Sequence, residues 1–326
     1  MPHLPSYSYL DPQQWDALIA TLDSIASSCA LCPRHCGVNR LAGERGFCRA
    51  PKELYISSIF PHHGEEPPIS GTGGSGTVFF SCCTLRCAFC QNWQISHEGE
   101  GEPYSTERLA ERMLWLQTQG CHNINLVTPT HFLPWIIRAL KEASADGLSV
   151  PIVYNCGGYE LPEIVRLLKD VVDIWLPDMK YGDNGPAQEY SGAKDYAKVN
   201  QQVVREMVRQ TGAWRVSDDG IAHRGVCIRH LVLPENKAGS ARIVEFLRSI
   251  VDPRDVAVSV MAQYRPKYRA TEHPEIARPA SAQEYLSAVR LFRDAGFEGF
   301  FQEHEEIDGR FFIDFAKRKD QPLTGS

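Results

Sequence analysis

Ser81-Cys82-Cys83-Thr84-Leu85-Arg86-Cys87-Ala88-Phe89-Cys90-Gln91-Asn92-Trp93 decides how the rest of the chain folds. Cys83, Cys87 and Cys90 have the spacing C-x3-C-x2-C, with the aromatic Phe89 just before the last cysteine. The run just upstream, residues 77–81 (TVFFS), predicts a short buried strand. The cysteines therefore stand on the loop at the carboxyl end of a strand, where barrel enzymes build their sites. A cubane of four irons held by three thiolates keeps one iron open to a further ligand, whereas a fourth thiolate would close it. The competing reading is structural zinc, which wants four ligands, and Cys82 is the available fourth. Successive side chains at the end of a strand point to opposite faces, so Cys82 and Cys83 do not readily share one metal. A three-thiolate iron–sulfur site is the expectation.

Working outward, further apolar runs predict strands at 124–127, 152–154, 172–176, 226–233 and 257–261. Helical spacing predicts helices at 106–119, 133–145, 161–169, 197–211 and 241–250. A last helix is expected from Ser281, since Ser281 and Glu284 have the spacing of a capping box. Six β-then-α units in succession imply parallel strands with helical crossovers. A closed eightfold barrel needs about eight such units. The expected fold is α/β, a partial (β/α)6 TIM-like barrel with a small cysteine-rich N-terminal extension. The expected division is 1–68 for the extension and 69–326 for the barrel. Residues 181–196 (YGDNGPAQEYSGAKDY) read as a long loop beside the barrel mouth.

Composition narrows the class. The chain has 326 residues and a formal net charge of -6, which leaves no excess of Lys or Arg for a general nucleic-acid binder. No apolar run has the length of a membrane span, and the start of the chain does not read as a signal peptide. Eleven cysteines, an odd count with most of them in two short segments, fit metal binding in a reducing compartment better than a disulfide framework. A cytoplasmic metalloprotein is expected.

Cys29, Cys32, Cys36 and Cys48 form a second group, C-x2-C-x3-C-x11-C, with Pro33, Gly37, Gly43 and Gly46 supplying turns. Four thiolates close a coordination sphere, so zinc and a fully ligated [4Fe–4S] cluster both remain open here. Arg34 and His35 inside this motif read as solvated. The segment 61–68 (PHHGEEPP) reads as a loop whose two adjacent carboxylates either face solvent or recognise a positive group. Gly71, Gly73, Gly74 and Gly76 precede a strand rather than open a helix, so they do not form a phosphate loop.

Together these segments resemble the radical S-adenosylmethionine (SAM) superfamily, and within it proteins similar to pyruvate formate-lyase activating enzyme. The likeness is carried by CALCPRHCGVNRLAGERGFC (29–48), GEEPPISGTGGSGTVFFSCC (64–83), NINLVTPTH (123–131), WLPDMKYGD (175–183) and RGVCIRHLVLPEN (224–236). It implies a partial barrel of the radical SAM type, a [4Fe–4S] cluster at Cys83, Cys87 and Cys90, and SAM on its open iron. Asp178 and Lys180 look like the D-x-K pair after the fourth strand and are the expected catalytic residues facing SAM. Arg229 resembles the arginine that meets the methionyl part, and Phe89 and Asn155 are carried over as further SAM contacts. The second strand usually ends in Gly-Gly-Glu, but here the corresponding residues are Thr128-Pro129-Thr130-His131, so Thr128, Thr130 and His131 are the expected substitutes. The resemblance also implies reductive SAM cleavage, a low-potential electron donor such as flavodoxin or ferredoxin, and a protein or peptide glycine as substrate. The alternatives are auxiliary-cluster-assisted modification of a peptide or small molecule, and an iron–sulfur or zinc binding protein without catalysis.

Overall fold

The computed structural model describes residues 4–304, together with Ile313 and Phe315; most of 305–326, the tail of the expected barrel segment, lies outside the described residues. The strands are β1 (Leu54–His62), β2 (Ser75–Phe80), β3 (Glu102–Tyr104), β4 (Ile124–Val127), β5 (Ile152–Cys156), β6 (Ile174–Pro177), β7 (Arg215–Val216), β8 (Ala222–Leu231), β9 (Ala257–Met261) and β10 (Gly299–Phe301). The helices of the α type are α1 (Pro12–Ser27), α2 (Pro67–Ser70), α3 (Trp93–Ser96), α4 (Thr106–Thr118), α5 (Leu133–Ala145), α6 (Pro162–Leu167), α7 (Asn184–Ser191), α8 (Tyr196–Thr211), α9 (Ser240–Ile250) and α10 (Ala282–Asp294).

All six expected strands form, and they lie side by side in parallel in the order β2-β4-β5-β6-β8-β9. Their runs are apolar throughout because both faces are covered; every residue of β2, β5, β6 and β9 is buried. A seventh parallel strand, β10, extends the sheet beyond β9. At the other edge β1 pairs antiparallel with β2, and β3 pairs antiparallel with β1. The sheet path thus ends at β3 and β10, which do not pair with each other. The architecture is α/β with parallel strands and helical crossovers.

Residues 4–68 are woven into this frame. β1 is hydrogen-bonded to β2 from Ile56 to His62. Ser6 donates through its amide and its hydroxyl to Asp173 (2.7 Å each), and the Tyr7 hydroxyl donates to the Val150 carbonyl (2.9 Å). Trp15, Leu22 and Ala26 of α1 share one buried cluster with Ile136, Leu140 and Ala143 of α5. At the other end of the chain the Ser281–Glu284 capping box is formed, with both reciprocal bonds in place.

The stretch expected as a loop at 181–196 contains α7 instead. Asp183 precedes the helix and Gly192 ends it in the left-handed conformation. Pro186 lies in the first turn, where its missing N–H costs nothing. A short helix rich in Gly, Asn and Pro resembles a loop in sequence. No helix among the described residues is long and apolar enough to cross a membrane.

Candidate functional site

Strand β2 delivers the chain to Cys82, whose amide donates to the Ile95 carbonyl (2.7 Å) and whose φ of 71° turns the backbone sharply. That turn places Cys83, Cys87 and Cys90 on the wall of a cavity of about 230 Å³ at the carboxyl ends of the strands. The loop is held from outside. Ala88 donates to the Tyr190 carbonyl (2.7 Å), and Arg269 donates its amide to the Ala88 carbonyl (2.9 Å). Each sulfur has a hydrogen-bond neighbour: the Leu85 amide to Cys83 Sγ (3.4 Å), Ser191 Oγ to Cys87 Sγ (2.9 Å), and Ser96 Oγ beside Cys90 Sγ (3.0 Å). Burial raises the pKa of Cys83 and Cys87, and burial with the neighbouring Cys87 pushes Cys90 up to about 12. Three thiols, Cys87 buried and Cys83 and Cys90 partly so, each with a hydrogen-bonding neighbour, are poor free thiolates but good metal ligands, since a cation supplies the charge that ionises them.

Opposite the cysteines a network of ions lines the same cavity. Arg229 on β8 donates Nε to Asp178 Oδ1 (2.9 Å) and a terminal nitrogen to Asn155 Oδ1 (2.8 Å), and lies 3.6 Å from Glu65. Lys180 Nζ is hydrogen-bonded to Asp178 Oδ2. Burial works to raise Asp178, but Arg229 and Lys180 outweigh it and hold the carboxyl below its ordinary value. Lys180 is raised: burial opposes its charge, yet Asp178 and Cys87 more than compensate. Phe89 packs edge-on against Tyr264 (centroids 5.7 Å apart) and also lines the cavity. Thr128 lines it too, held at a φ of 57° with its amide donating to the Asn155 carbonyl (2.8 Å).

Thr130 and His131 are not on that wall. Thr130 Oγ1 donates to Glu160 Oε2 (2.6 Å), and His131 Nε2 is bonded to the Ser81 carbonyl (2.7 Å). Both are buried in the short 3-10 turn that leads into α5, and burial lowers the His131 pKa to about 3. After Thr128 the chain turns into a helix, so the next polar side chains face the packing between elements. His131 holds the backbone just before the cysteine loop, and Thr130 ties to Glu160 and Tyr154, rather than facing the cavity.

Two groups that sequence reasoning undervalued are part of the site. Glu65 lines the cavity with its side chain 9% exposed, and Asn125 (3.1 Å) and Asn155 (3.4 Å) donate to its Oε1. Glu66 beside it is buried. Burial raises both carboxyls, partly offset by Arg229. The segment 61–68 is therefore not a solvated loop: β1 carries it under the sheet and aims Glu65 into the interior. The cavity wall carries Glu65 and Asp178 beside Lys180, Arg229, Arg265 and Lys267, so it offers partners to both the carboxylate and the positive groups of a zwitterionic ligand. The second group is Arg34, which is not solvated: its guanidinium donates to the carbonyls of Thr84 (3.0 Å), Leu85 (3.4 Å), Ser191 (3.0 Å) and Gly192. The only sequence sign of this was the position of Arg34 between two cysteines.

The model of the Radical SAM superfamily matches residues 77–247, which span β2 to α9 and contain the cysteine loop and the Asp178–Lys180–Arg229 network. The chain belongs to the radical SAM superfamily. Two uncharacterized proteins of Methanocaldococcus jannaschii are similar over most of its length. One is 33% identical over 296 residues, covering 87% of this chain and 79% of the relative. The other is 25% identical over 308 residues, covering 85% and 84%. Among solved structures, methylornithine synthase (PylB) is similar at 11% identity and a TM-score of 0.43, over 96% of this chain and 86% of that one. HydG, a maturase of the [FeFe]-hydrogenase, is similar at 11% identity and a TM-score of 0.46, over 90% and 62%. In this radical SAM chain the cysteine loop and the ionic network share one cavity, so the residues fit a cluster on one side and a charged cofactor on the other.

Proposed function

We propose that this radical SAM protein is an enzyme that cleaves SAM reductively and takes hydrogen from a substrate, with a glycine of a protein or peptide as the substrate class. Cys83, Cys87 and Cys90 would hold a [4Fe–4S] cluster, which would supply the single electron that reductive cleavage of the SAM sulfonium to methionine and a 5′-deoxyadenosyl radical requires. The observation that carries the reading is the convergence of three thiols and a network of charges of both signs, Asp178 and Glu65 with Lys180 and Arg229, on one cavity.

The chain's own residues bind and orient. Ser191 and Ser96 place hydroxyls at Cys87 and Cys90 and hold the loop. Asp178 is pinned by Arg229 and Lys180 on opposite oxygens, which keeps the carboxylate ionised and fixed in direction. Lys180 and Arg229 offer positive charge to a ligand carboxylate, and Glu65 and Asp178 offer negative charge to an ammonium or sulfonium. Phe89, Tyr264 and Met261 give the same cavity an apolar wall. The polypeptide substrate class rests on the resemblance to glycyl-radical activating enzymes carried by residues 29–48, 64–83 and 175–183. A flavodoxin- or ferredoxin-type donor fits the one-electron requirement.

The test is formation of 5′-deoxyadenosine by the anaerobically reconstituted chain given SAM and a strong reductant, with Cys87→Ala as control. Product from the wild type alone is expected. A loaded protein that binds no SAM would overturn the reading.

A further inference from the structure

Cys29, Cys32, Cys36 and Cys48 lie outside the cavity, and none is in a disulfide. Turns wrap the segment around them: Cys29 donates its amide to the Val38 carbonyl (2.9 Å), Gly37 to the Cys29 carbonyl (3.0 Å) and His35 to the Cys32 carbonyl (3.1 Å). Three of the four sulfurs accept N–H groups. The Phe47 amide reaches Cys36 Sγ (3.3 Å), Arg40 reaches Cys48 Sγ (3.4 Å) with the Ala50 amide beside it, and the Arg34 amide reaches Cys32. A Cβ on Gly46 would lie 2.7 Å from Cys36 Sγ, so only glycine lets the backbone pass that sulfur. Buried thiols gain little from such a cradle, whereas thiolates on a metal gain a good deal.

Spacing separates the two metals. Four sulfurs about 2.3 Å from one zinc ion stand roughly 3.8 Å apart. Among the described residues no three of these sulfurs lie within 4.8 Å of one another, and the same holds for Cys83, Cys87 and Cys90. Thiolates of a cubane each bind a different iron, so they stand farther apart than the ligands of one zinc ion. The module is also tied to the cavity. Arg34, between Cys32 and Cys36, binds the carbonyls of Thr84 and Leu85 between Cys83 and Cys87, and that of Ser191, whose hydroxyl donates to Cys87.

We propose that Cys29, Cys32, Cys36 and Cys48 hold a second [4Fe–4S] cluster, closed by four thiolates, that acts as a one-electron reservoir for the cavity. A low-potential protein donor of the flavodoxin or ferredoxin class supplies one electron, one electron leaves toward the cavity, and no bond is made or broken. Only the destination of the electron rests on the function proposed above; the second metal site stands without it.

The test is metal analysis of the full-length chain after anaerobic reconstitution, with the C83A/C87A/C90A and C29S/C32S variants beside it. The wild type should carry about eight irons and each variant about four, with no zinc. Wild type with about four irons, whether or not one zinc accompanies them, overturns the proposal even if a variant fails to fold. Reductive titration of C83A/C87A/C90A should take up about one electron per chain, with a paramagnetic signal that SAM leaves unchanged. No uptake refutes the reservoir, and a signal altered by SAM refutes the closed ligation. These readouts stand whether or not the wild type cleaves SAM.

Discussion

Arg34 donates Nε to the Thr84 carbonyl at 3.0 Å, so a side chain from one cysteine motif grips the backbone of the other. Its remaining donors go to the carbonyls of Leu85, Ser191 and Gly192, and its face lies 3.7 Å from the centre of the Phe47 ring. Hydrogen bonds from a charged donor contribute about 1.5–3 kcal/mol each when partly buried. Arg34→Ala should release the loop and speed iron loss to a chelator by roughly tenfold, a change of about 1.4 kcal/mol. Arg34→Lys should rescue little, because an ammonium lacks the planar fork that spans several carbonyls. Loss rates unchanged in Arg34→Ala would show that the loop is held by other contacts.

Glu65→Gln keeps the shape of the cavity floor and removes one negative charge. SAM and S-adenosylhomocysteine differ by one positive charge, so the variant should weaken SAM more than the thioether, by roughly five- to tenfold for SAM. Burial raises the Glu65 pKa, so it ionises only as pH rises, and SAM affinity should rise with pH more steeply in the wild type than in Glu65→Gln, where the adjacent Glu66 still titrates. Equal losses for both ligands, measured by anaerobic equilibrium dialysis, would mean that Glu65 acts by packing alone.

How far the sequence revealed this site follows from the physics of each element. Strands buried on both faces advertise themselves as apolar runs, and Ile124–Val127 and Ala257–Met261 begin and end where those runs do. Asp178 and Lys180 follow β6 directly and Arg229 lies within β8, and all three were legible through the family's D-x-K and arginine positions. β1 was not: it lies in sequence between two cysteine segments and pairs antiparallel with both β2 and β3, and nothing local says which neighbours it joins. Glu65 is a long-range consequence of that pairing, since its partners Asn125, Asn155 and Arg229 lie far along the chain. Thr130 and His131 show the converse: residue type suggested ligands, but the turn into α5 set their direction.

Ser191 links α7 to the cysteine loop through its bond to Cys87 Sγ, and its own oxygen lies 2.7 Å from the Tyr181 hydroxyl. A hydroxyl donating to a ligand sulfur withdraws electron density and raises a cluster's reduction potential. Ser191→Ala should lower the potential by roughly tens of millivolts while leaving iron content near that of the wild type. A spectroelectrochemical titration with no shift would reduce this bond to a packing contact.

Glu160 gives the chain a pH dependence that is independent of SAM. It is buried at 2% exposure, accepts from Thr130 Oγ1 at 2.6 Å, and burial raises its pKa to about 8 despite that bond. An unfolded glutamate ionises near pH 4.3. Between that value and about 8 the folded chain keeps a proton that the unfolded chain has lost, so stability falls as pH rises. The slope is up to about 1.4 kcal/mol per pH unit and levels off once the folded carboxyl has ionised. Cys82 and Cys90, pushed to about 12 in the folded chain, and the buried imidazoles contribute alike in wild type and variant, so the difference between the two curves isolates Glu160. Glu160→Gln cannot ionise, so its urea midpoint should fall less than that of the wild type between about pH 6 and 9, and the two curves should separate most at the alkaline end. Parallel curves would show that Glu160 is already ionised at neutral pH, and that the Thr130 hydroxyl and its surroundings stabilise its charge.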